Sequence, residues 1–97
     1  MLYKEWLLEW LENYVKTSVK ERTYGKYSDI VRIRLLHALG DHELNDLTPF
    51  IVQRYITELL HHGNLKNGEG LSANTVNLFI AVIQSSMETA HSIGLTD

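Results

Sequence analysis

The sequence contains no cysteine, which excludes disulfides and thiolate metal sites and leaves nothing that depends on an oxidising compartment. Proline occurs once and glycine six times, too rarely for a collagenous or low-complexity chain. Long apolar runs are missing as well. The opening MLYKEWLLEWLENY is apolar only at intervals and carries Glu5, Glu9 and Glu12, so it is neither a signal-peptide core nor a membrane span. The expected setting is cytoplasmic. Cations are scarce toward the C-terminus: residues 35–97 hold Arg54 and Lys66 against seven carboxylates, a balance of −5.

What is present describes a packed protein. Apolar residues make up 44% and charged residues 22% of 97 positions, which suits one modest core and a single domain, 1–97. The net charge of −3 taken alone argues mildly against a nucleic-acid binder, because duplex affinity comes largely from neutralising phosphates with Lys and Arg. The distribution argues the other way. Residues 16–34 carry Lys16, Lys20, Arg22, Lys26, Arg32 and Arg34 against Glu21 and Asp29, a balance of +4, and such segregation is what an electrostatic footprint requires.

The apolar spacing predicts four helices and no strand. Leu2, Trp6, Trp10 and Tyr14 recur every fourth residue beside Leu7, Leu11 and Val15, giving a first helix of about four turns. Ser18-Val19-Lys20-Glu21 has capping-box spacing and predicts the start of a second helix. Its apolar face is Tyr24, Tyr27, Ile30, Val31, Leu35 and Leu36, ending at the Gly40 turn, with Leu44 and Leu47 tethering the connection. Thr48-Pro49 predicts the start of a third helix, with Ile51, Val52, Tyr55, Ile56, Leu59 and Leu60 buried. The Gly- and Asn-rich stretch 62–70 reads as the most mobile loop. Ser72 is the N-cap candidate for a fourth helix carrying Val76, Phe79, Ile80, Ile83, Met87 and Ala90 on one stripe and stopping near Gly94.

The order of these signals resembles the core-binding domain of tyrosine recombinases (phage and transposon integrases). Trp10-Leu11 resembles the family's Trp-Leu pair late in helix one, and Glu21-Arg22-Thr23-Tyr24 through Tyr27 its basic opening of helix two. Leu39-Gly40-Asp41 through Leu44 to Leu47-Thr48 resembles the linker into helix three. Leu71-Ser72-Ala73-Asn74-Thr75-Val76-Asn77 resembles the start of helix four, and Ala90 through Ile93-Gly94-Leu95 its close. The resemblance implies an all-α, four-helix SAM-like bundle of two crossed helical hairpins. It also implies a DNA face made by Lys20, Arg22, Thr23 and Lys26 from helix two and Ser72, Asn74, Thr75, Asn77 and Gln84 from helix four. The implied partners are double-stranded DNA, a catalytic domain of the same chain expected beyond residue 97, and other recombinase protomers. No cofactor, membrane or small-molecule substrate is implied.

The residue chemistry suits that assignment. Arg22 and Lys26 are four apart on one helical face and can reach successive phosphates, and Asn and Gln pair a donor with an acceptor as the adenine edge requires. The sequence departs from the family in having Asn74 where Lys is frequent, so helix four relies on neutral donors. The family cuts DNA with a Tyr nucleophile and a His-x-x-Arg box; none of His37, His42, His61, His62 or His91 has Arg three residues later, so the chain is not expected to be an enzyme by itself. With no Cys and no His pair at ligand spacing, a metal site is not expected either.

Blander readings stand beside these. From composition alone Lys20, Arg22 and Lys26 are a solvated face paired with Glu21 or Asp29, Ser72 and Thr75 are capping residues, and the aromatic residues are core rather than stacking platforms. A rival function is a helical protein-interaction module using Leu8, Leu78 or Val82, which sit off the main apolar stripes.

Overall fold

Each helix begins and ends for local reasons that can be named. The structure is a computed structural model and describes residues 1–97. Helix α1 runs Tyr3–Trp10 and continues through a π-helical stretch, Leu11–Val15, where the Lys16 amide reaches back five residues to the Leu11 carbonyl at 2.9 Å. Glu5 accepts the Leu2 amide at 2.8 Å and so closes its N-terminus. Helix α2 runs Glu21–Asp29, then through a second π-helical stretch, Ile30–Leu35, and a last turn, Leu36–Ala38. A 3₁₀ turn, Leu44–Asp46, leads to α3, Pro49–His62, and a loop joins that to α4, Ala73–Ser92. Thr48 and Ser72 cap α3 and α4 as the sequence predicts, accepting the amides of Ile51 at 3.4 Å and Thr75 at 3.2 Å. There is no strand, only an isolated bridge between Leu2 and Glu43.

The helices form two antiparallel hairpins. In the first, the Tyr24 hydroxyl meets Glu12 at one end, the Trp10 and Tyr27 rings stack 6.2 Å apart in the middle, and the Lys4 amide donates to the Gly40 carbonyl at the other end. In the second, Leu71 donates to Leu59 at the loop end while Pro49 and Met87 line one groove at the far end. Trp6 and Tyr3 pack the first hairpin onto Ser86 of α4, and Arg34 of α2 lies over Phe79. The thinnest dimension of the molecule is 18 Å, two helices deep. Trp6, Leu7, Trp10, Leu11, Val31 and Leu35 are all buried between these layers, and Leu44 and Leu47 tether the connection as expected.

Several expectations are corrected. Ser18 does not open α2: its amide and that of Val19 both bond to the Val15 carbonyl, so this segment terminates α1, and α2 starts at Glu21 after an extended Lys20. Tyr14 and Leu60 are exposed rather than buried, because each lies at the edge of its helix's apolar face. Val82 is fully buried and Leu78 is half-buried against the core. The reason is that α4 is covered on two sides: α3 meets Ile80, Ile83 and Met87, while α1 meets Ser86, which rotates the buried stripe toward Val82. Only Leu8 of the three proposed interaction residues is exposed. The stretch after His62 is a loop, as the sequence predicts, and it carries internal bonds: Asn64 amide to Glu69 carbonyl at 2.7 Å, Gly68 amide to Asn64 carbonyl at 2.8 Å, and two further amides accepted by the Asn64 and Asn67 side chains.

Candidate nucleic-acid interface

The six cations of residues 16–34 divide into two sets. Lys16 pairs with Glu12 at 3.5 Å and lies 5.9 Å from the centre of the Tyr24 ring. Arg32 reaches Glu12 at 3.6 Å and donates to the Ser28 hydroxyl at 2.9 Å. Arg34 donates to the Gly63 carbonyl at 2.7 Å and covers Phe79. Lys20, Arg22 and Lys26 are exposed and have no ion pair, and neither Glu21 nor Asp29 pairs with any of them. The three free cations are the ones the resemblance assigns to DNA.

The start of α2 adds to this. Every helix leaves its first amides without intrahelical partners. In α1 the amides of Tyr3 and Lys4 bond to His42 and Gly40, and α3 and α4 have their Thr and Ser caps. In α2 no side chain caps the N-terminus, so its first amides face solvent beside Lys20 and Arg22. Amide donors, a helix dipole and free cations together favour an anion. Thr23 is half-buried.

On α4, Ser72, Asn74, Thr75 and Asn77 are exposed in the first turns. Ser72 and Thr75 are engaged with each other, hydroxyl to hydroxyl at 3.0 Å as well as Thr75 amide to Ser72 hydroxyl, so the capping reading holds for Ser72, and the Thr75 amide is the group it caps. No hydrogen bond or ion pair joins this set to the α2 set. The link between them is the Arg34–Phe79 contact, 5.5 Å from guanidinium to ring centre. Along the helix axes Lys26 stands about 12 Å from that contact and Thr75 about 6 Å. Gln84 is not part of either set: it is exposed on the wall of the α3–α4 groove with Pro49, Val52 and Gln53, nearly three turns beyond Asn74.

Sequence reasoning missed Glu12. It collects the Tyr24 hydroxyl at 2.9 Å, Lys16 and Arg32. The Tyr24 hydrogen bond first, and then the two cations, hold its carboxyl below the usual Glu range. The i,i+4 spacing of Glu12 and Lys16 is a visible signal; the Arg32 partner, twenty residues away, is not. The adjacent His61 and His62 rings lie 6.1 Å apart edge to face, and no group of three His, Asp or Glu converges anywhere.

The sequence model of the family described as phage integrase, N-terminal SAM-like domain, matches residues 2–60. That span contains α1, α2 with its free cations, and nearly all of α3. No curated protein and no solved structure matches the chain. A match over more than half of the sequence, on an all-helical fold of two hairpins, means that this chain belongs to the phage integrase N-terminal SAM-like domain family.

Proposed function

We propose that this domain grips duplex DNA for a phage-type tyrosine recombinase and holds a separate catalytic domain of the same chain on its recombination site. The observation that carries the reading is the free trio Lys20, Arg22 and Lys26 at the uncapped start of α2, within the region that matches the integrase family. In this reading the trio and the α2 amides take phosphates, while Asn74 and Asn77 on α4 offer amide groups to base edges or phosphates. Strand cleavage belongs to the catalytic domain. Because α4 supplies no cation, binding by this domain alone is weak and falls steeply with salt.

The test is a titration of amide NMR signals with a short duplex at low salt, for the native chain and for Arg22→Glu with Lys26→Glu. The native chain should shift at residues 20–26 and 72–77, and the double variant should keep its fold and lose the shifts. Unchanged shifts in the double variant overturn the reading.

A second reading, a protein-interaction module joining protomers, is favoured by one observation. An open groove of about 450 Å³ between α3 and α4 is walled by Leu47, Val52, Ile56, Ile80, Ile83 and Met87. Sedimentation velocity over a concentration series separates the two, since the second requires self-association that the charge reversals leave intact.

A further inference from the structure

Lys20, Tyr24, Ser28 and Arg32 are spaced by four and form one ridge of α2, with Arg22 and Lys26 exposed beside it. Across from the ridge lies Glu12, in the π-helical stretch of α1, and Arg32 lies in the π-helical stretch of α2. Segments of this kind recur where a helix is shaped for function. Glu12 is the one acidic partner of both Lys16 and Arg32. All three side chains are about half exposed to solvent, so water and salt weaken these pairs. A duplex backbone that runs along this ridge from Lys20 and Arg22 toward Arg32, about 15–18 Å along the helix axis, passes two more cations, which a single carboxylate is holding in competition.

We infer that Lys16 and Arg32 are a second tier of duplex phosphate ligands and that Glu12 restrains them, setting how tightly the domain holds DNA. The inference rests on the DNA-binding reading above. Removing the Glu12 charge frees two cations at once, whereas removing a neighbouring charge that holds no cation frees none. Glu9 is that neighbour: it is exposed on α1 and bonds to Asn13. Glutamine at position 12 still accepts the Tyr24 hydrogen bond, so the hairpin keeps its packing.

The experiment compares the binding of a fluorescent random-sequence duplex by the native chain, Glu12→Gln, Glu9→Gln and Glu12→Gln with Lys16→Ala and Arg32→Ala. Each added phosphate contact steepens the dependence of log affinity on log salt by about 0.9, so Glu12→Gln should enlarge the ratio of affinities at about 50 and 200 mM salt roughly tenfold. Glu9→Gln should leave the slope as it is, and the triple variant should lose the gain. A slope for Glu12→Gln equal to that of the native chain, or equal gains for Glu9→Gln and Glu12→Gln, overturns the inference. Arg22→Glu with Lys26→Glu, measured alongside, separates the two failures: loss of binding there with no effect of Glu12→Gln sinks only the restraint, while retained binding there sinks the DNA-binding reading itself.

Discussion

Arg34 donates from its guanidinium to the Gly63 carbonyl at 2.7 Å, so a cation that charge counting groups with the proposed DNA-binding cations is in fact the anchor of the C-terminal end of α3. The same group covers the Phe79 ring, fastening both helices of the second hairpin to α2. Arg34→Met should remove a charge-assisted hydrogen bond and leave a buried carbonyl end without its donor, at a cost of about 2 kcal/mol. The urea midpoint should fall with its slope unchanged. Lys26→Met should behave in the opposite way, with stability within about 0.5 kcal/mol of the native chain and a salt slope for duplex binding lower by about 0.9.

The buried polar cluster at the hairpin junction predicts an asymmetry. Ser86 has one hydroxyl hydrogen and donates it to the Ile83 carbonyl at 2.9 Å. The Tyr3 hydroxyl, 2.7 Å away, must therefore donate to Ser86 Oγ. Burial pushes the Tyr3 hydroxyl well above its ordinary pKa. Tyr3→Phe removes a donor and leaves Ser86 still bonded, whereas Ser86→Ala strands the Tyr3 hydroxyl in the core. Denaturant unfolding should show Ser86→Ala costing about 1–3 kcal/mol and Tyr3→Phe about 1 kcal/mol. Equal losses would mean that the Tyr3 hydroxyl finds another partner.

Much of this architecture is readable from spacing and caps. Trp6 and Trp10 recur at helical intervals on a face that is buried, and Thr48-Pro49 and Ser72 start α3 and α4 where they stand in the sequence. The sequence is a poorer guide where a local pattern has two uses. Ser18 fits a capping box, yet its amide closes the preceding helix. Val82 lies off the stripe that α3 alone would select, and it is buried because α1 packs on α4 from another side, which no single-helix pattern contains. Among the candidate DNA residues the sequence identifies the cations, but which of them are free depends on Glu12 and Gly63, residues contributed by other elements.

Glu12 and Asp41 supply a pH test. The Tyr24 hydrogen bond and the charges of Lys16 and Arg32 lower the Glu12 pKa, while the hydrogen bond and charge of Lys4 lower that of Asp41. A carboxylate depressed in the folded state stabilises the fold above its unfolded value, near pH 4, and that contribution is lost as pH falls through the folded value. Stability should therefore decline on acidification below about pH 4. Carboxyl carbon shifts should place both groups below the ordinary range, and Tyr24→Phe should move Glu12 upward without moving Asp41. If Glu12 kept its depressed value in Tyr24→Phe, the cations rather than the phenol would be its main support.

Two glycines should respond to alanine with opposite signs. A Cβ on Gly40 would run into the Leu36 carbonyl oxygen and stand 2.8 Å from the Lys4 Cβ. Here the Lys4 amide donates to the Gly40 carbonyl at 3.1 Å, so α1 cannot retreat without breaking the bond that closes the first hairpin. Gly40→Ala should cost about 1–3 kcal/mol, as overpacking does. Gly25 lies inside α2 between Arg22 and Lys26, and a Cβ there meets nothing within 4 Å. Gly25→Ala should stabilise the chain by about 0.4–1 kcal/mol through a less flexible unfolded state. It should also stiffen the turn that carries the free cations, so duplex binding should be kept or tightened. Thermal unfolding of the two variants checks the pair, and a loss of stability in Gly25→Ala would mean that the backbone at that position is not the ordinary helix found here.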